Sequence, residues 1–211
     1  HDKSKFELIA FSLKTKNNEK IKERIISSFD KFIDADSMSD REIVQTSRKL
    51  KIDIAVDLMG FTKSNRFGIF VERCAPIQIN YLGYPGTLGS KSIDYIIADK
   101  IIIPKENEKY YSEKIIYLPN TYQVRDSTQK ISKNIFKKND IGLPENSFVF
   151  CCFNKHYKIT PNVFDIWMRI LNKVDNSILW FIQDTNNGIQ NLFKEAQNRN
   201  VDPKRIIFAN R

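Results

Sequence analysis

Short apolar runs and longer amphipathic runs alternate along the chain, and that alternation predicts parallel strands covered by helices. "FELIAFSL" (Phe6–Leu13) reads as an opening strand. In "NNEKIKERIISSF" the apolar Ile21, Ile25, Ile26 and Phe29 recur at helical spacing. "KFIDAD" predicts a strand and "DREIVQTSRKL" a helix, with Ser39 placed to cap it. "IDIAVDLM" (Ile52–Met59) is a strand whose Asp53 and Asp57 flank an apolar centre, and "SNRFGIFVERC" is a short helix. Three more strands are expected in "PIQINYLG", "DYIIAD" and "KIIYLP".

The pattern then stops and restarts. Residues 127–146 are rich in Lys, Asn and Ser and end in the turn chemistry of "GLPENS". This predicts a boundary between a first unit, 1–128, and a second, 129–211. In the second, "FVFCCF", "SILWFIQ" and "RIIFA" are strands, and "TPNVFDIWMRILNKV" and "GIQNLFKEAQNRN" are helices. Thr160 can cap the first helix, Pro161 suits its first position, and Val163, Phe164, Trp167, Ile170 and Leu171 form a core stripe. Three strands are fewer than a doubly wound domain usually carries, so the second unit is expected to be cut partway. The first residue is His, not Met, which points to a processed, trimmed or partial chain.

Composition narrows the classes. With 41% hydrophobic and 12% aromatic residues among 211, a packed core can form. No apolar run approaches the ~20 residues of a membrane span, and the N-terminus lacks the regions of a signal peptide. Three cysteines do not make a disulfide framework. Cys74, Cys151 and Cys152 read as buried small hydrophobes of a reducing compartment. The net charge of +9 is spread along the chain. Its sharpest cluster, Lys130, Lys133, Lys137 and Lys138, reads as a solvated face, since no nucleic-acid motif accompanies it.

Candidate chemistry gathers at strand ends, where open parallel sheets bind ligands. The turn Asn154–Lys158 follows a strand and precedes a helix N-terminus, whose unpaired N–H groups favour anions. Lys155 and Lys158 add positive charge there, so the spacing suits a phosphate or diphosphate; an ordinary basic surface loop fits it too. Neither a Walker A motif nor a G-x-G-x-x-G is present. In "CAPIQINYLGYPGTLGS" (Cys74–Ser90), Gly83 and Gly86 permit close backbone approach and Pro85 stiffens the turn, although a rigid β-turn needs no more. "DLMGFTKSNR" places Gly60, Thr62, Lys63 and Arg66 after another strand end. These three strand ends are expected to line one cleft edge.

The runs "DLMGFTKSNRFGIFVERCAPIQINYLGYPGTLGSKSIDYIIADKIIIP", "YYSEKIIYLPNTYQ" and "FCCFNKHYKITPNVFDIWMRILNKVDNSILWFIQD" resemble the catalytic region of the protein O-linked N-acetylglucosamine transferases. These form glycosyltransferase family forty-one, which also holds the SPINDLY-type O-fucosyltransferases. The resemblance covers nearly the whole chain. It implies an α/β fold of GT-B type, two Rossmann-like parallel-sheet halves, both incomplete here. Residues 1–128 would be the acceptor-side half without its first strand, and 129–211 the start of the donor-side half. It further implies an inverting, metal-independent transfer of N-acetylglucosamine from UDP-GlcNAc to Ser or Thr of proteins. No cofactor beyond that donor is implied. The partners would be a nucleotide sugar and an acceptor protein, with no nucleic acid or membrane, and the location cytoplasmic.

Residue by residue, Lys158 matches a lysine that contacts the donor diphosphate and steadies the leaving group. Lys155 stands where many members have a glutamine near the nucleotide. Leu82 and Gly83 match the loop beside the donor sugar, and Lys63 a lysine near the acceptor peptide. The family histidine and aspartate proposed as acid–base groups would precede His1, and the rest of the nucleotide-binding half would follow Arg211. Phe61 stands where many bacterial relatives have a histidine, and Asn120 where animal members have one. Transfer of fucose or glucose on the same scaffold, or a non-catalytic binding module, are the alternatives. Asp34 and Asp36 have the spacing of a metal-binding Asp-x-Asp, but are read as a strand end and turn, with Asp36 or Ser37 capping locally. His156 reads as a loop residue with no triad partner.

Overall fold

The computed structural model describes residues 2–13 and 19–209. Two compact units divide the chain at Thr128 and Gln129.

Unit 1 holds β1 (Ile9–Ser12), α1 (Glu19–Ser27), β2 (Lys31–Asp34), α2 (Asp40–Lys49), β3 (Ile54–Asp57), α3 (Gly68–Val71), β4 (Ile77–Asn80), β5 (Tyr95–Ala98) and β6 (Lys114–Tyr117). Every ladder is parallel. β1 pairs with β2, and β3, β4, β5 and β6 pair in chain order. The strands are apolar on both faces, as parallel strands commonly are, although Ile54, Val56, Ile77 and Ile116 remain exposed. The strands are shorter than the apolar runs that announce them. β4 spans four residues because Leu82, Gly83 and Tyr84 turn away from the ladder.

Helix α2 orients the core of unit 1. Ser39 accepts the Glu42 N–H while Glu42 accepts the Ser39 N–H, a reciprocal cap that fixes where the helix starts. Ile43 and Val44 then face Ala35, Ile69, Phe70, Cys74, Leu88 and Ile93. The Asp-x-Asp stretch is a local turn: Asp34 accepts the Asp36 N–H at 3.2 Å. The cap of the helix that follows is Ser39, not Asp36 or Ser37.

Unit 2 is a three-stranded parallel sheet of β7 (Phe148–Cys152), β8 (Ser177–Ile182) and β9 (Ile206–Ala209), in that order, with α4 (Pro161–Lys173) and α5 (Asn186–Gln197) as crossovers. The side chains of α4 that pack fully are Phe164, Met168 and Leu171, a run at i, i+4 and i+7. Val163 and Ile170, expected in that stripe, are exposed because they lie off the centre of the face. Cys151 corrects a second expectation. It sits on β7 at the sheet edge and is exposed, Cys152 is partly buried, and Cys74 alone is fully buried. Lys138, read as part of a solvated basic face, donates to the Glu145 and Ser147 carbonyls at 2.9 and 2.6 Å and closes the turn before β7.

Candidate functional site

In unit 1 the ends of β3 and β4 are built against each other. β3 finishes at Asp57, whose buried carboxylate accepts the Met59 and Gly60 N–H groups at 2.8 and 3.1 Å. Gly60 follows at φ +54°, where a side chain would meet Tyr84. The Tyr81 N–H donates to the Asp57 carbonyl at 2.9 Å and carries the ladder into the turn. Leu82 then adopts φ +73°. A left-handed leucine costs about 1–2 kcal/mol, and such residues persist where surrounding structure dictates them. The supports are visible. Asn80, fully buried, donates through Nδ2 to the Tyr84 and Gly86 carbonyls at 3.0 and 3.1 Å. Glu113, also buried, accepts the Leu88 N–H at 2.7 Å and the Thr87 hydroxyl at 2.6 Å.

Leu82 is half-buried and Gly83 exposed on this turn. The close backbone approach at Gly83 is to the Leu58 carbonyl of the neighbouring strand end. Lys63 sits in the exposed turn Thr62–Asn65, closed by the Asn65 N–H and side-chain amide donating to the Thr62 carbonyl. It has no hydrogen bond or ion pair among the described residues. Phe61 stands beside it, its ring 5.3 Å from Phe67 and 5.8 Å from Tyr84. Arg66 does not join this edge. It turns inward to Asp40 and to the carbonyls of Ala35 and Met38, which lie just before α2 and lack helical donors.

In unit 2 the turn after β7 has the cations the sequence placed there. Residues His156–Lys158 form one turn of 3-10 helix, closed by the Lys158 N–H on the Lys155 carbonyl at 3.0 Å. Thr160 accepts the Val163 N–H at 3.4 Å and Pro161 opens α4, as expected for a capped start. Lys158 is exposed and has no ion-pair partner among the described residues. Lys155 differs: its ammonium lies 3.5 Å from the Asp184 carboxylate beyond the end of β8. Asp184 escaped sequence reading because it lies at another strand's end, and only the β7–β8 pairing brings it alongside. The same holds for Asn80 and Glu113, whose signal is a polar residue among apolar neighbours, which alone does not name a partner.

A groove of about 480 Å³ lies at the opposite, amino ends of β3 and β4. Its arginines are committed: Arg48 donates to the Glu72 and Arg73 carbonyls, and Arg73 pairs with Asp94 at 2.7 Å. Among the described residues no three His, Cys, Asp or Glu side chains cluster as a metal ion would require.

Comparison with known proteins places this geometry. The model of Glycosyl transferase family 41 matches residues 1–141 and 132–211. The chain is 36% identical over 215 residues to the probable UDP-N-acetylglucosamine–peptide N-acetylglucosaminyltransferase SEC of Arabidopsis thaliana, covering 99% of this chain and 22% of that protein. It is 31% identical over 183 residues to the probable transferase SPINDLY of Eustoma exaltatum subsp. russellianum, covering 85% and 20%. It is 22% identical over 322 residues to the UDP-N-acetylglucosamine–peptide N-acetylglucosaminyltransferase of Caenorhabditis elegans, covering 100% and 28%. The chain thus spans less than a third of each of these relatives. A solved O-GlcNAc transferase mutant of Thermobaculum terrenum superposes with a TM-score of 0.86 at 24% identity, over 100% of this chain and 39% of that one. This likeness establishes the GT-B type of fold.

Proposed function

The chain belongs to glycosyl transferase family 41, and on that premise we propose that it is part of an enzyme moving N-acetylglucosamine from UDP-N-acetylglucosamine to Ser or Thr hydroxyls of proteins. The observation that carries the reading is Lys158. It is an exposed cation with no ion-pair partner among the described residues, beyond the carboxyl end of β7 and two residues before Thr160, the cap of α4. That is where a departing diphosphate finds positive charge beside the positive end of a helix. The acceptor hydroxyl oxygen attacks the anomeric carbon as the bond from that carbon to the diphosphate oxygen breaks, and the hydroxyl proton passes to solvent. The electron pair leaves with the diphosphate, and Lys158 stabilises the charge that develops. Lysine then supplies the charge a divalent cation supplies elsewhere, so the reading needs no resident metal or cofactor.

Leu82 and Gly83 are assigned to the donor sugar and Lys63 to the acceptor peptide. Lys155 is assigned to the nucleotide with its charge already offset by Asp184. The partners are a nucleotide sugar and a protein. No helix among the described residues is long and apolar enough to cross a membrane, and a cytoplasmic setting suits thiols that stay reduced.

Calorimetric titration with uridine diphosphate tests the assignment. Lys158→Ala is expected to weaken binding by ~1.5–3 kcal/mol, the range of a charged hydrogen bond, while Lys63→Ala leaves it unchanged. Equal binding by native chain and Lys158→Ala sinks the assignment. Absence of binding by the native chain removes the diphosphate site from unit 2 as it stands.

A further inference from the structure

His156 faces inward while its neighbours face solvent. Its Nε2 lies 3.1 Å from the Ile182 carbonyl oxygen at the end of β8. A carbonyl only accepts, so Nε2 carries a proton. Nδ1 is buried and has no hydrogen-bond partner among the described residues. The rings of Phe181 and Phe208 stand edge-to-face with the imidazole at 6.0 and 5.9 Å. The first turn of α5 closes the remaining side, where a Cβ on Gly188 would come within 2.8 Å of Nδ1. The imidazole therefore occupies a fitted socket made by β8, β9 and α5.

The turn built on this residue carries the candidate cation. The Ile159 N–H donates to the His156 carbonyl, and the Lys158 N–H to the Lys155 carbonyl, each at 3.0 Å. Tyr157 between them is 81% exposed and contributes no packing of its own. The Lys155–Asp184 pair is a second tie, but both side chains keep solvent contact, and such pairs hold weakly. The part-buried imidazole, together with Ile159 packed against the core of unit 2, thus fixes the backbone under Lys158.

We propose that His156 is a positioning residue for the diphosphate site: an Nε2-protonated anchor that locks the Lys158 turn onto the junction of β8 and α5. The proposal rests on the diphosphate reading of Lys158. Fixing that backbone before the ligand arrives lowers the ordering cost of binding, which is how an anchor outside the contact surface raises affinity. It also separates two duties within five residues, with the lysines serving the anion and the histidine serving the lysines.

The test uses the 211-residue chain, with His156→Gln, whose side-chain amide can reach the same carbonyl, and His156→Leu, which fills the socket without a donor. Imidazole nitrogen chemical shifts are expected to report the Nε2–H tautomer for His156. Amide exchange at Lys158 and Ile159 is expected to rise about tenfold or more in His156→Leu and to stay near native in His156→Gln. Exchange across β8 is expected to hold steady in both. Uridine diphosphate affinity should follow the same order, with a loss of about tenfold in His156→Leu, one hydrogen bond's worth. An Nδ1–H tautomer, unchanged exchange in His156→Leu, or a His156→Gln no better than His156→Leu overturns the proposal. Should His156→Leu fail to fold, the tautomer and His156→Gln decide. A native chain with the expected tautomer and exchange that binds no diphosphate overturns the reading of Lys158 and, with it, the positioning role; the anchor alone survives.

Discussion

Gly83→Ala isolates the contact between the two strand ends of unit 1. A Cβ on Gly83 would lie 2.1 Å from the Leu58 carbonyl oxygen, 2.9 Å from its carbonyl carbon and 3.1 Å from the Met59 Cα. All three are backbone atoms, so no rotamer change makes room. The φ of Gly83 lies outside the left-handed region, so alanine adds no dihedral strain and the whole cost is steric. Forcing packed groups apart costs ~1–3 kcal/mol and occasionally more. At roughly 4 °C per kcal/mol for a unit of this size, the melting temperature should fall by about 4–12 °C. Gly89→Ala is the control. Its φ is +60° and nothing lies within 4 Å of the added Cβ, so it bears only the left-handed penalty of ~1–2 kcal/mol. Thermal melts by circular dichroism are expected to place both variants below native, Gly83→Ala by about 4–12 °C. Uridine diphosphate titration of Gly83→Ala then asks whether the turn also serves the donor. A Gly83→Ala chain that melts with the native chain refutes the steric reasoning.

Glu113→Gln keeps one acceptor oxygen of the two that hold Leu88 and Thr87, and should lose ~1.5–3 kcal/mol in urea unfolding. Arg205→Lys should destabilise unit 2 by a similar ~1.5–3 kcal/mol, because one ammonium cannot replace a guanidinium that bonds the Leu171, Val174 and Ser177 carbonyls at once. Asp99 is held below the ordinary 3.8 by the N–H groups of Ile102 and Tyr122, and Asp126 is held to about 2 by Thr128 and Arg24. A depressed carboxyl stabilises the fold above its unfolded value and loses that contribution as pH falls through the folded one. Unit 1 should therefore weaken from about pH 4 down to 2 in acid titrations, and Asp99→Asn should flatten the slope. With a thiol reagent, exposed Cys151 should react in the native chain and buried Cys74 only on unfolding, since burial also pushes the Cys74 thiol up.

Element order was legible because each strand and helix announces itself by period and caps. Ser39, Thr160 and Pro161 stand where helix starts require them. Strand lengths were not, because an apolar run does not record where the ladder yields to a turn, as at Leu82. The basic turn after β7 was legible as a cluster of residue types. The partners of its residues were not: Lys155 meets Asp184, and His156 meets Ile182, only through the register of β7 on β8. Cys151 was misread because alternation assigns faces, and nothing in "FVFCCF" states that β7 is an edge strand.

The net charge of +9 acquires meaning only when each cation is followed to its partner. Arg48 and Arg66 satisfy carbonyls around α2 and α3, Arg73 fixes Asp94 beside Gln78, and Arg205 closes the end of α4 against β8. Arg199 binds Asp165 and Glu195 together. Guanidinium groups suit such work because a planar fork reaches several acceptors at once. Two lysines at strand ends take no part in it, whereas Lys155 lies 3.5 Å from Asp184. Lys63 and Lys158 are exposed and have no ion-pair partner among the described residues, each on a hydrogen-bonded turn. An ammonium gains most from a ligand when its backbone needs no further ordering, and the diphosphate proposed for Lys158 would meet it on those terms.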